Sequence, residues 1–251
     1  MLNLQCNIKN FLQMRRVIVV LIITVPVLLM ACAPTTVSQS ISERLYNVGF
    51  RVITFQMAVN GSIKNLDAAV WYPTAEPVRK YNYGGPAYGN VSFEAAPLNN
   101  KGAFPMLAFS HGYGGCGLAS LFFTEKLAAK GWIVACPDHH DSHYAARSAT
   151  GRNINIDRRG LLEGAREIVS TTPAERGRYM YRPEELETTI KGMIASPLFG
   201  RLIDTTKIAV GGHSFGGFTS TALCGSIADY HDARIKAILL FSTGAAAYLM
   251  T

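Results

Sequence analysis

The sequence has 251 residues, 49% of them hydrophobic and 16% charged, with a formal net charge of +7. That length supports one domain with a large core and is too short for two generous ones. Internal repeats, charge blocks and long low-complexity tracts are absent, and the basic residues form no stripe of the kind nucleic acid requires, so the positive balance reads as solubility.

The chain opens with a leader. Met14-Arg15-Arg16 is a positive start, and Val17 to Met30 is an apolar run broken by Pro26. The run is shorter than the roughly 20 residues of a spanning helix, so residues 1–31 read as a signal peptide. Residues 1–13 are unlike a leader, and Met14 is an alternative start. Lys9, Arg15 and Arg16 are the only charges before residue 32, so removal leaves 7 − 3 = +4 on residues 32–251. Leu29-Met30-Ala31-Cys32 resembles a bacterial lipobox, which makes Cys32 a lipidation site and the cell envelope the expected location, lipid-anchored and periplasm-facing. Ala33 after the cysteine resembles the outer-membrane sorting pattern. An ordinary secretory signal is the alternative. Residues 32–45 are a polar tether. Cys116, Cys136 and Cys224 remain in an oxidising compartment, an odd number that leaves at least one thiol free; Cys136 and Cys224 read as core residues.

Val48 to Phe55 and Leu66 to Tyr72 are strand-like around the turn signal Asn60-Gly61, which predicts an antiparallel hairpin at a sheet edge. Pro73 to Asn100, rich in Gly, Pro, Asn and Tyr, reads as a loop whose tyrosines pack rather than line a cleft. Strand and helix then alternate. Phe104 to Ser110 is a buried strand, Leu118 to Lys130 a helix ended by Gly131, and Trp132 to Cys136 the next strand. Pro137 to Arg182 shows no clean strand and weak helicity, as insertions forming cleft walls or lids do. Pro183 to Ala195 is a helix with Leu186, Ile190, Met193 and Ile194 on one face. Lys207 to Val210, a helix from Phe218 to Leu223 and a strand from Ile235 to Phe241 follow. This alternation predicts an α/β fold over residues 46–251, a mostly parallel sheet with helices on both faces.

Gly212-His213-Ser214-Phe215-Gly216-Gly217 sits between a predicted strand and a predicted helix, the setting of a nucleophile elbow. A serine hydroxyl is a weak nucleophile unless a tight turn presents it to a base, and Gly212 and Gly216 carry no Cβ to obstruct that turn. Ser214 is the candidate nucleophile. Phe215 N–H is a candidate donor to a developing oxyanion. His111-Gly112-Tyr113-Gly114-Gly115 follows the earlier strand, where a second donor belongs, and Tyr113 N–H is the candidate; His111 reads as structural. Asp138, His139, His140, Asp141 and His143 form the densest group of potential ligands. Adjacent His139 and His140 point apart in an extended segment, so a cleft-lining or loop-stabilising role is favoured over a metal site. No metal and no cofactor are expected.

Val70-Trp71-Tyr72-Pro73, Phe109-Ser110-His111-Gly112, Asp138-His139-His140-Asp141-Ser142, Tyr181-Arg182-Pro183 and the elbow occur in this order. Together, over about Asn47 to Phe241, they resemble the α/β-hydrolase branch of platelet-activating-factor acetylhydrolase-like enzymes and bacterial predicted dienelactone hydrolases. The resemblance implies a metal-free serine carboxylic ester hydrolase acting through an acyl-enzyme on short-acyl or lipid-like esters, with Ser214 as nucleophile and Tyr113 and Phe215 as oxyanion donors. A cutinase-like polyesterase and a catalytically inactive scaffold used for binding are the alternatives. True dienelactone hydrolases have cysteine at the elbow, which serine here speaks against.

One departure stands out. The family's acid and histidine follow the elbow in chain order, yet no carboxylate follows Asp232 and no histidine follows His231. The catalytic acid and base are therefore expected to be absent from this chain, which reads as incomplete at its C-terminus, lacking the last strands and helices. A base drawn from His139, His140 or His143 is the competing explanation.

Overall fold

The computed structural model describes residues 45–84, 87–142 and 158–243, all within one compact unit, Glu43–Thr251. The leader with Cys6, the lipobox with Cys32, almost all of the tether, His143 and residues 244–251 lie outside the described residues.

Strands β1 (Asn47–Val59) and β2 (Ser62–Thr74) pair antiparallel without a register break. Asn60 and Gly61 join them with φ of 50° and 75°, the left-handed pair that a two-residue hairpin turn demands and that Asn and Gly tolerate best. The hairpin is not at the sheet edge, as its sequence suggested. The strand order is β3-β4-β1-β2-β6-β5-β7-β8, and the outer place belongs to β3 (Arg79–Gly84) and β4 (Ala87–Phe93). These two strands lie in the stretch read as a loop. Its glycines and prolines masked an alternation in which Tyr81, Tyr83 and Val91 turn inward while Lys80, Asn82 and Asn90 turn out. Phe50 is the reason they pack: its ring lies 4.7 Å from that of Tyr83 and 5.2 Å from that of Trp71. Tyr83 Oη accepts from Trp71 Nε1 at 2.9 Å and donates to Glu125 Oε1 at 2.7 Å, so this buried phenol is satisfied.

The other half is the expected α/β alternation. Strands β5 (Phe104–Ser110), β6 (Ile133–Pro137), β7 (Ile203–His213) and β8 (Ile235–Phe241) run parallel. The whole sheet is mixed, with parallel pairings in the majority: β2 meets β1 and β6 antiparallel, as β3 meets β4, while β4 and β1 and the four central and outer strands of this half pair parallel. Helix α1 (Leu121–Ala129) starts later than predicted and stops at Gly131, whose φ is 89°. Helix α2 (Arg158–Ser170) lies in the weakly helical insertion, followed by a 3-10 stretch at Pro173–Tyr179. Helix α3 (Tyr181–Ala195) is the predicted amphipathic one, and α4 (Phe215–Thr221) begins three residues before its expected start.

The period-2 side-chain alternation of β5 and β6 builds a core on each face. Met106, Ala108, Ile133 and Ala135 meet Leu186, Ile190 and Met193 of α3, while Leu107, Phe109, Val134 and Cys136 face the side of α1. The three α3 residues are fully buried, each burial contributing about 1.5–3 kcal/mol. Cys116 and Cys136 are buried and in no disulfide; Cys224 is unbridged too, but exposed rather than in the core. It falls in a π-type turn, Ala222–Ser226, whose extra residue shifts it off the helical face that its sequence position implied. Among the described residues β8 borders the sheet, with Ile238, Leu240 and Phe241 more than a third exposed.

Candidate active site

β7 delivers His213 and then turns. Ser214 has φ 51° and ψ −117°, a conformation that L-residues enter at a cost of about 1–3 kcal/mol. Two backbone bonds hold it there: Ser214 N–H donates to Phe241 O on β8 at 2.9 Å, and Gly217 N–H donates to Ser214 O at 2.9 Å. The glycines are needed for contact reasons. A Cβ on Gly212 would lie 2.1 Å from the backbone of Gly216, and one on Gly216 would lie 2.0 Å from Ser110 O. Helix α4 therefore sits directly on the end of β5. Ser214 itself is half-buried.

The glycine-rich loop is beside it. β5 and β7 pair Ser110 with Gly212, so His111 and His213 leave neighbouring strands together. A Cβ on Gly112 would stand 3.4 Å from Ser214 Cβ and 3.1 Å from His213 Nδ1. The loop of Tyr113 and the elbow of Phe215 are thus in contact, as an oxyanion hole built from two segments requires. The Tyr113 ring lies 6.3 Å from that of Phe215, and its hydroxyl packs against Gly164 of α2. Tyr179 stacks edge-on at 5.2 Å from Phe215, so the insertion walls this side of the site.

Beneath the loop is a buried polar cluster. His111 Nδ1 donates to Gly112 O at 2.6 Å, while Nε2 accepts from His139 N–H and Ser142 O–H, each at 3.1 Å. Two donors on Nε2 fix the ring proton on Nδ1. Burial first, then the neighbouring His139 ring and the charge of Arg182, hold the His111 pKa well below 6.5. His139 Nε2 lies 2.8 Å from Ser110 Oγ and its Nδ1 lies 2.8 Å from Glu185 Oε2. Serine, histidine and carboxylate in that order have the hydrogen-bond pattern of a catalytic triad, yet Ser110 and His139 are 0% exposed, and no ester reaches them. Burial and then Arg182 keep His139 neutral, so its contact with Glu185 is a hydrogen bond rather than an ion pair. His140 faces solvent. The neighbours do point apart, and among the described residues no group of three or more His, Cys, Asp or Glu could hold a metal ion.

Arg182, also 0% exposed, ties this cluster together. Its Nε and Nη2 donate to Asp141 Oδ2 and Oδ1 at 3.0 and 2.9 Å, and Nη1 donates to His111 O at 2.9 Å. Burial would raise the Asp141 carboxyl, but the charge and hydrogen bonds of Arg182 overcome it and hold it at about 2. Arg182 and Glu185 received no role from the sequence. The available signal was their place on α3: positions 182, 185/186, 189/190 and 193 form one helical stripe, so both charges extend the apolar face into the protein.

Glu185 gives a pH-dependence. Burial pushes its carboxyl up to about 7, against a hydrogen bond from His140 N–H and the charge of Arg182. A raised pKa favours the folded state fully below the unfolded value near 4.5 and loses that advantage as pH rises through 7, on the order of 3 kcal/mol. The depressed His111 and His139 act oppositely: the stability they contribute is lost as pH falls below 6.5. Glu185→Gln removes only the first effect. Thermal melts from pH 5 to 7.5 should then show the variant's Tm gaining several degrees on the wild type; parallel curves would refute the buried carboxyl's role.

Neither His231 nor Asp232 approaches the elbow. Both precede β8, whose Ile235 pairs with Ile208 while Phe241 pairs with His213, so they lie at the far end of the strand. Asp232 is instead bound to Arg234, with Nη2 to Oδ2 at 2.6 Å. His111 and His139 have both ring nitrogens engaged within the buried cluster. Among the described residues, no carboxylate–histidine pair reaches Ser214.

A mixed sheet whose parallel half ends in a strained Ser214, beside a glycine-rich loop on the neighbouring strand, defines the α/β-hydrolase fold. Residues 82–163 match the family model described as platelet-activating factor acetylhydrolase, isoform II. The matched segment contains the loop of Tyr113 and the cluster of His139 and stops short of the elbow. Among solved structures, a ferulic acid esterase from Streptomyces cinnamoneus is 17% identical and covers 83% of this chain and 66% of its own, with a TM-score of 0.55. A dienelactone hydrolase-like promiscuous phosphotriesterase from metagenomic libraries is 14% identical, with coverages of 78% and 60% and a TM-score of 0.47. The chain thus spans less than two thirds of the length of either structure.

Proposed function

We propose that this protein is a serine carboxylic ester hydrolase that forms an acyl-enzyme on Ser214. The observation that carries the proposal is the strained Ser214 backbone, maintained by glycines that no other residue could replace. Ser214 Oγ adds to the ester carbonyl, and the resulting oxyanion is received by Tyr113 N–H and Phe215 N–H. The carbon–oxygen bond breaks, the proton given up by the Ser214 hydroxyl ends on the departing alkoxide, which leaves as the alcohol, and water then hydrolyses the acyl-serine to the acid and free Ser214. Short-acyl or lipid-like esters are the proposed substrates, a class supported by the acetylhydrolase description of the matched family model. An alkyl fluorophosphonate should label the protein expressed from its gene, with the adduct mapped by mass spectrometry to Ser214. Absence of label, or label elsewhere, would favour the inactive-scaffold reading.

We further propose attachment to the cell envelope through a lipidated Cys32, on the strength of Leu29-Met30-Ala31-Cys32. One acyl chain binds a bilayer only marginally and two or more anchor it, so multiple acylation is required. Cys32→Ala should move the protein from the membrane to the soluble fraction, and Cys6→Ser should leave it in place. Wild-type protein recovered in the soluble fraction would defeat this assignment.

A further inference from the structure

The guanidinium of Arg182 touches both halves of the proposed oxyanion hole from beneath. Besides the bonds to Asp141 and His111 O, Nη2 donates to Gly112 O at 3.3 Å, and Nη1 lies 3.3 Å from Ser110 Oγ and 3.4 Å from Thr219 Oγ1. Its plane also covers the Phe215 ring, with Cζ 4.7 Å from the centroid. One buried cation therefore contacts two successive carbonyls of the loop, the side chain of the residue after the nucleophile, and a hydroxyl of α4.

Peptide geometry turns these contacts into a statement about the site. Gly112 C=O and Tyr113 N–H belong to the same planar trans peptide and point in opposite directions. Gly112 O is held by Arg182, by His111 Nδ1 and by Gly115 N–H at 3.0 Å. Fixing that oxygen fixes the direction of Tyr113 N–H. We propose that Arg182 is a positioning residue that sets the Tyr113 and Phe215 N–H groups at the angle and separation a tetrahedral oxyanion needs. It does so without touching substrate. This inference rests on the reading of Ser214 as nucleophile.

The fork is what the task requires. Arginine presents five N–H donors in one rigid plane, and here that plane meets a carboxylate on one edge and loop carbonyls on the other. Lysine has a single ammonium with three donors and no flat face for Phe215. Asp141 completes the device by accepting two of the five and so fixing the rotation of the plane.

The test is steady-state hydrolysis of p-nitrophenyl acetate by the protein expressed from its gene and by its Arg182→Lys, Asp141→Glu and Ser214→Ala variants, with rates normalised to the folded fraction from circular dichroism. Oxyanion donors act on the transition state more than on bound ester. Arg182→Lys should therefore lower kcat by about 10²-fold while KM changes less than about threefold. Fluorophosphonate labelling of Ser214 should slow in proportion. Asp141→Glu keeps the buried cation paired while displacing the fork by about a methylene, and should lower kcat by about tenfold with KM again unchanged. It serves as the measurement if Arg182→Lys does not fold. A folded Arg182→Lys, or failing that a folded Asp141→Glu, with wild-type kcat overturns the inference, as does a rise in KM at constant kcat. Wild-type turnover that survives Ser214→Ala overturns the nucleophile instead, a result distinguishable from either.

Discussion

In the protein expressed from its gene, replacement of Ser214, the proposed nucleophile, by alanine is expected to lower p-nitrophenyl acetate hydrolysis by at least about 10³-fold, because only binding and oxyanion contacts are then left to act on the ester. The fold should be indifferent to the change. Ser214 contributes to the structure through its backbone, by the bond to Phe241 O and the one received from Gly217 N–H, and alanine retains both. Alanine also inherits the φ of 51° and with it the strain. Glycine would not: Ser214→Gly should be equally inactive yet more stable, by about 1 kcal/mol, since an achiral residue enters that region freely. Inactivity with unchanged melting for alanine, and inactivity with raised melting for glycine, is the pattern to expect. Retained turnover in Ser214→Ala would overturn Ser214 as the nucleophile.

The largest stability effect is expected at Gly216. An alanine there would place its methyl 2.0 Å from Ser110 O and 2.9 Å from His111 O. Both are backbone atoms, of the last residue of β5 and the first of the loop, so no side-chain rotation relieves the overlap. Helix α4 would have to lift off the sheet, opening the cluster of Phe215, Phe218 and Ala222. Overpacking usually costs about 1–3 kcal/mol, and a clash against two backbone oxygens belongs at or above the upper end. A loss of about 3 kcal/mol lowers Tm by roughly 6–12 °C for a domain of this size. Gly177→Ala is the matched control, with nothing within 4 Å of the added methyl and no left-handed φ. Equal melting temperatures for the two variants would mean that the elbow is looser than this packing.

What the sequence disclosed was local. The elbow was legible because a β-branched strand, G-x-S-x-G and a helix follow one another within about fifteen residues, and the strain at Ser214 is a property of that stretch. The β1–β2 hairpin was legible from Asn60-Gly61 for the same reason, although its place within the sheet was not. Strands β3 and β4 were missed because they are held by partners outside themselves. Tyr83 and Val91 pack on Phe50 and Trp71, and no pattern within residues 79–93 announces that support. The Arg182 cluster was hidden more thoroughly, since its members come from the end of β5, the segment after β6 and the start of α3. Phe109 to Gly112, Asp138 to Ser142 and Tyr181-Arg182-Pro183 each stood out in the sequence, but nothing in any one of them told that the three meet. Only the apolar stripe of α3, running without interruption through Arg182 and Glu185, recorded that two charges were going inside.

The register that sets Ser110 opposite Gly212 has a consequence for how the protein comes into being. It joins positions about a hundred residues apart, whereas the turn at Asn60-Gly61 closes over two. Loop closure makes the distant pairing the slower event, and hairpins of the β1–β2 kind form within about 1–10 μs. The proposed nucleophile is therefore assembled late. Until β5 and β7 meet, Ser214 sits in relaxed backbone with no loop beside it, and its hydroxyl is no more reactive than that of any other serine. If Ser214 is the nucleophile proposed above, a nascent or half-folded copy of the chain is chemically silent, and reactivity arrives only with the completed centre of the sheet.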